Sequence, residues 1–248
     1  MRGPDSDSEI FEPFEFGMFG SAAHRSHLNF SECPTAQFWE AESSPEMARQ
    51  YRAANQVRFP GPLALPGWVF CDLFVLPGAI GVITGPAKLL DDGMRAALQV
   101  GPDERAIMAA YYAAPTLTPG LFVGVSLISL LAGRGLGRLA KSMTLPVLGA
   151  SVQRGVVQWS NWSLRSHARI GPMRVVGGVP PGHALEHESF VYEIDLRRDG
   201  FQLEANLKVL ADDLDALASL LDRASAQGNI FVVAPGFDGH HVYLHVEK

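Results

Sequence analysis

The chain has 248 residues and a formal net charge of −6, with 47% apolar and 19% charged residues. This length suits one large domain or two small ones, and the apolar share favours a well-buried core. Residues 51–248 carry equal numbers of acids and bases, which argues against nucleic-acid binding, because phosphate recognition needs a concentrated basic surface.

The first 50 residues carry the whole net charge, with nine acids against three bases. Within them, the run 10–19 interleaves carboxylates with large apolar side chains. The four phenylalanines of this run are Phe11, Phe14, Phe16 and Phe19. The lack of a sustained period predicts an irregular arm over 1–45, followed by a single α+β domain over 46–248. Burial of each phenylalanine would contribute roughly 1.5–3 kcal/mol, so we expect the arm to be ordered against a partner subunit or its own domain.

The next distinctive run, residues 62–85, is nearly all apolar and long enough to cross a bilayer. Pro66 and Pro77 would each break a helix there, and lipid offers no water to replace the lost hydrogen bonds. Two buried strands joined by a Pro-Gly turn fit the run better, and peripheral membrane contact of 62–85 or 120–132 is an alternative that we do not favour. Asp72 is unusual within this run, because a buried carboxylate needs a partner.

The elements that follow are predicted from hydrophobic periodicity and turn residues. Helices are predicted over 45–55, 87–100 and part of 127–148. Glycines at 133, 135 and 137 weaken the last of these by roughly 1 kcal/mol each. Strands are predicted over 79–84, 121–126, 151–159, 163–170, 173–179 and 189–196. Leucines spaced four and three apart predict a helix over 203–225, and a hairpin over 230–246 ends the chain.

Consecutive strands with short turns predict the α+β class. We expect a curved, mostly antiparallel sheet, with a partly closed barrel as one form of it, packed by a few helices and preceded by the irregular arm. Such a sheet can enclose an apolar pocket for a small molecule.

Three polar side chains mark a candidate anion-binding face. Arg165, His167 and Arg169 lie on one side of the strand predicted over 163–170. Two guanidiniums and an imidazole suit a carboxylate or a phosphate. With Trp159 and Asp72, they are predicted to line the pocket. The alternative is a solvated strand face paired with acids on a neighbouring strand.

A candidate metal site follows in the pattern H-x-x-E-H, formed by His183, Glu186 and His187. In zinc hydrolases of this pattern, two histidines one helical turn apart bind the metal and the glutamate activates water. Prolines before the pattern and a strand after it leave room for barely one turn. A polar loop is therefore the preferred interpretation, with a divalent metal as the alternative and no other cofactor predicted.

The compartment follows from cysteine content and the N-terminus. Cys33 and Cys71 cannot build a disulfide framework, and the acidic N-terminus lacks the pattern of a secretory signal. We therefore expect a cytoplasmic protein. Lys141 stands in apolar sequence, where a desolvated amine could form a Schiff base, although a lysine that reaches the surface is preferred.

Three functions remain open at this point, and the sequence leaves undecided whether the chain is an enzyme. The first is an α+β domain that binds an apolar or anionic small molecule within a homo-oligomer or a protein complex. The second is an assembly protein whose aromatic arm docks on a partner subunit. The third is a metal-dependent hydrolase that uses the H-x-x-E-H pattern at 183–187.

Overall fold

The computed structural model describes residues 12–59, 61, 64–66, 79–179, 188–197 and 203–247. The chain divides into two compact units. Unit 1 comprises Met1–Ala114 and Val125–Gly149, and unit 2 comprises Pro115–Gly124 and Ala150–Lys248.

Unit 1 is built on strands in the order β2-β1-β3-β4-β5. These strands are β1 (Glu15–Gly20), β2 (Gln37–Glu40), β3 (Ala79–Pro86), β4 (Arg105–Pro115) and β5 (Leu121–Ser129), the last of which starts in unit 2. Its helices are α1 (Pro45–Arg58), α2 (Asp92–Leu98) and α3 (Leu136–Val147). Strand β1 pairs parallel with β2 and antiparallel with β3, so both of its edges are hydrogen-bonded.

Unit 2 contains the first part of β5 and has its strands in the order β5-β6-β8-β7-β10-β11-β9. Its further elements are β6 (Val152–Gln158), α4 (Leu164–His167), β7 (Met173–Gly178), β8 (Ser189–Asp195), β9 (Leu207–Leu210), α5 (Leu214–Gln227), β10 (Ile230–Phe237) and β11 (His241–Val246). The first three residues of β5 pair parallel with β6, and the other registers within this unit are antiparallel. Trp159, Phe190, Val175 and Leu217 lie in its apolar core.

The predicted α+β class and the mostly antiparallel sheet are confirmed. The strand order has two ends, β2 and β9, so the sheet is not closed and the barrel form of the prediction is wrong. Among the described residues, no helix combines the length and apolar character needed to span a membrane.

The expectation of an irregular N-terminal arm is wrong from Glu15 onward. Strand β1 is buried on both faces, and Phe16 and Phe19 are only 4% and 1% exposed. The strand is not evident in the sequence, because residues buried on both faces do not alternate between apolar and polar.

Two further predictions fail for local reasons. The strand predicted over 163–170 contains the short helix α4, and the helix predicted over 203–225 divides into β9 and α5. Asp213 caps α5, since its carboxylate accepts a hydrogen bond from Ala216 N at 3.1 Å. The leucines keep their spacing of four and three on both sides of Asp213, so the spacing predicts one continuous helix where the chain forms a strand and a separate helix.

Glycine at position 81 lets α3 approach β3 closely. A Cβ added at Gly81 would lie 1.6 Å from Thr144 Oγ1 and 2.8 Å from Thr144 Cβ. We expect Gly81→Ala to lower the free energy of unfolding by about 1–3 kcal/mol in urea titrations, through overpacking. Thr144→Ala in the same chain removes the nearest atom and should restore part of the loss.

The matched control is Gly93→Ala in α2. The nearest atom to a Cβ there is Asp91 Oδ1 at an ordinary 3.4 Å. Alanine is the better helix former, so this variant should gain about 0.5–1 kcal/mol. Equal stability of the two alanine variants would contradict the close approach of α3 to β3.

Candidate functional site

A glycine-containing turn connects β5 to α3 within unit 1. Gly133 and Gly135 have φ of +73° and +70°, in the left-handed region that favours glycine. Nothing lies within 4 Å of a Cβ added at either position, so both glycines face open space. Two hydrogen bonds hold the start of the turn: Leu130 N donates to Met108 O at 2.8 Å, and Ser129 Oγ donates to Leu131 O at 3.1 Å.

The N-terminus of α3 is open. Gly135 occupies the N-cap position, and no side chain caps the helix. The first intrahelical bond runs from Leu139 N to Gly135 O at 3.0 Å, so the amide groups of the preceding residues in the first turn have no helical acceptor. Residues 132–135 are exposed. The exposed turn therefore leads directly to the positive end of the α3 dipole, where the first helical amides belong to Leu136 and Gly137, which are buried, and to Arg138, which is exposed.

Two arginines add to this positive field. Arg134 lies in the turn, Arg138 lies in the first turn of α3, and both are exposed. Neither makes an ion pair with a carboxylate among the described residues, and the first turn of α3 contains no acid. Backbone amides and guanidiniums that converge on one exposed turn can bind a phosphate or another oxyanion.

The body of α3 fixes the position of this turn. Leu136, Ala140 and Leu145 are buried, and Thr144 lies against Gly81. Lys141 is also fully buried, with Nζ 5.5 Å from the ring centroid of Tyr111. Desolvation holds the pKa of Lys141 well below its usual value. The preferred interpretation of Lys141 as a lysine that reaches the surface is therefore wrong.

The predicted anion-binding face over Arg165, His167 and Arg169 does not form. In a helical turn, residues four apart share a side and the residue between them points elsewhere. Arg165 and Arg169 are exposed, whereas His167 is buried with its ring centroid 5.1 Å from that of Tyr192. The expectation that the three share one strand face is corrected, because the segment is not a strand.

Trp159 is a core residue of unit 2. It is 1% exposed, and its ring stacks on Phe190 with centroids 3.8 Å apart. Its indole N–H is buried with no hydrogen-bond partner among the described residues. The structure therefore separates Trp159 in the core from the exposed Arg165 and Arg169.

The remaining predicted site residues either lie outside the described residues or belong to the packing of unit 1. Asp72, His183, Glu186, His187 and Phe11 lie outside the described residues. The described part of the chain holds no group of three or more His, Cys, Asp or Glu side chains arranged for a metal ion. Phe16 and Phe19 are core residues of unit 1, so their assignment to a partner-binding surface is corrected. Phe14 is partly buried, with its ring edge close to Gly85.

The glycine turn at 133–135 lies in a segment for which the sequence predicts part of a helix. The position of the glycines is the sequence signal for this turn. They lie between an apolar strand and a segment whose apolar residues repeat with the period of a helix. In that position, glycines favour a turn with positive φ rather than a weakened helix.

Comparison with known proteins gives matches only among solved structures. No protein-family model and no curated protein matches the sequence. The chain aligns with nourseothricin acetyltransferase at 15% identity and a TM-score of 0.34, over 48% of this chain and 65% of that one. It aligns with aminoglycoside 6'-acetyltransferase type Ii at 10% identity and a TM-score of 0.43, over 62% and 92% of the two chains. A GNAT-family protein from Desulfovibrio desulfuricans aligns at 11% identity and a TM-score of 0.36, over 61% and 93%.

Proposed function

We propose that the turn at 132–135 and the first turn of α3 bind the phosphate groups of a small molecule, and that this ligand is an acyl-CoA. The observation that carries the proposal is the uncapped N-terminus of α3 behind two left-handed glycines in open space. The unpaired amides can donate to phosphate oxygens, and glycine at 133 and 135 lets the phosphates approach the backbone closely.

Charge supports an anionic ligand. Arg134 and Arg138 can each add a charge-assisted hydrogen bond to a phosphate oxygen, and no nearby acid of the helix competes for them. A pyrophosphate has enough oxygens to use the amides and both guanidiniums together. The proposal keeps the predicted anionic small molecule but places it at the start of α3 instead of at Arg165, His167 and Arg169.

The choice of acyl-CoA among phosphate-bearing ligands is part of the proposal. The solved structures aligned above include proteins named as acetyltransferases, and this suggests acetyl-CoA as the first probe. Pantetheine, which lacks the phosphates, is the matched comparison compound. Comparing CoA with pantetheine separates recognition of the phosphates from recognition of the pantetheine chain that carries the acyl group.

The test is isothermal titration calorimetry with acetyl-CoA, CoA and pantetheine. We expect both phosphate-bearing compounds to bind, and pantetheine to bind at least about a hundredfold more weakly, because it cannot use the amides or the guanidiniums. Arg134→Gln with Arg138→Gln should weaken CoA binding by about tenfold or more. The affinity should also fall as salt is added, since the site is exposed.

The control is Arg52→Gln with Arg58→Gln on α1. It removes the same charge from another exposed surface of unit 1 and should leave the affinity unchanged. Pantetheine binding as tightly as CoA, or no CoA binding at low salt, would overturn the proposal.

A further inference from the structure

A second exposed feature lies on unit 2, where the chain leaves β6 and enters α4. Trp162 is 57% exposed, although it is a large apolar side chain. Its ring meets Phe237 edge to face, with centroids 5.3 Å apart, and its outer edge lies close to Gly239. These contacts hold the ring in place while leaving more than half of the residue in water.

Arg165 stands beside this ring, and Arg169 lies four residues later, on the same side of the helical turn. The guanidinium carbon of Arg165 lies 5.4 Å from the centroid of Trp162, within range of a cation–π contact. Arg169 is exposed as well. Neither guanidinium forms an ion pair with a carboxylate of the described residues. We call Trp162, Arg165 and Arg169 the Trp162 surface.

This combination has the composition of a protein-binding surface. Tryptophan and arginine are the residues most enriched among those that dominate binding energies, and a ring already held in place loses little side-chain freedom on binding. Unpaired guanidiniums favour carboxylates, which they bind through two parallel hydrogen bonds. The charge of the surface therefore selects an acidic partner.

We propose that the Trp162 surface binds an acidic peptide segment of a partner protein that carries an apolar side chain among its carboxylates. The apolar side chain contacts the exposed ring of Trp162, and the carboxylates pair with Arg165 and Arg169. This inference is independent of the proposed ligand at α3, since it uses none of the same residues.

The test uses a short, capped peptide of alternating glutamate and phenylalanine, titrated into the full chain and followed by fluorescence anisotropy. We expect saturable binding that weakens as salt is added, and no binding of the same peptide with glutamine in place of glutamate. Trp162→Ala, and separately Arg165→Gln with Arg169→Gln, should each weaken binding by about tenfold or more.

Two control variants test whether the loss of peptide binding is specific to the Trp162 surface. Leu117→Ala removes another exposed apolar side chain of unit 2, and Arg52→Gln with Arg58→Gln removes two exposed charges elsewhere. Both should bind the peptide as the unaltered chain does, and circular dichroism should show that every variant is folded. The proposal is overturned by equal binding of the glutamine peptide, by loss of binding in the controls, or by tighter binding of a single-stranded oligonucleotide.

Discussion

Phe19→Ala should lower the free energy of unfolding by about 3–5 kcal/mol. The side chain is 1% exposed, and its strand lies between β2 and β3, where Phe19 is in register with Trp39 on one side and Ile80 on the other. Truncation removes the buried ring and leaves a cavity that two hydrogen-bonded neighbours prevent from collapsing. Urea denaturation followed by circular dichroism measures the loss.

Phe14→Ala is the matched control for this prediction. Phe14 precedes β1 and is only partly buried, so its truncation should cost clearly less than that of Phe19. A chain that lacks residues 1–44 should fail to fold, because both β1 and β2 are removed from unit 1. Equal, small losses for the two phenylalanine variants would show that β1 does not contribute to the core.

The N-terminal segment shows what its sequence could and could not predict. The density of phenylalanine predicts an ordered segment, since so much apolar surface is costly in water, and from Glu15 onward the segment contains β1, with Phe16 and Phe19 in the core. The strand itself was hidden because β1 is buried on both faces and so lacks the alternation of apolar and polar residues that marks a half-exposed strand. Local pattern cannot reveal that β2 and β3 cover both edges of this strand, because those pairings join distant parts of the chain.

The half-exposed strand β8 was predicted well for the opposite reason. Phe190, Tyr192 and Ile194 are buried and alternate with partly exposed residues, as their period of two indicates. The strand predicted over 163–170 was wrong, because the four-residue helix in this segment is too short to show a helical period in the sequence. Predictions of site residues that depended on that strand therefore failed with it.

The candidate site at α3 depends on features that a side-chain search does not detect. Its proposed donors are mostly backbone amides, and the glycines contribute by lacking a side chain. A search for histidines, acids and nucleophiles favoured the polar residues near 165 and 183 instead. The charges of Arg134 and Arg138 become informative only when the helix start at Leu136 is known.

Lys141→Met should weaken the dependence of stability on pH between neutral pH and about 10.5, because it removes a buried group that titrates differently in the folded and the unfolded chain. Lys141 is 0% exposed, and burial disfavours its charged form, so desolvation lowers the pKa of Lys141 in the folded state. The unfolded chain keeps the ordinary lysine pKa, near 10.5. Folding at neutral pH therefore requires either release of the proton or burial of the charge, and methionine has no proton that titrates.

The pH dependence of this difference tests the cause. Between the lowered folded pKa of Lys141 and about 10.5, the unfolded chain binds more protons, so the Lys141 contribution to stability rises with pH. The stability of Lys141→Met relative to the unaltered chain should consequently fall as the pH is raised from 7 toward 10. Raised pKa values of Cys33, Tyr51 and Tyr192 act in the opposite direction, but they are common to both proteins and cancel in the comparison. Because only the titration of Lys141 predicts a pH-dependent difference between the two proteins, a difference that stays constant over this range would assign the effect to packing around Tyr111 instead.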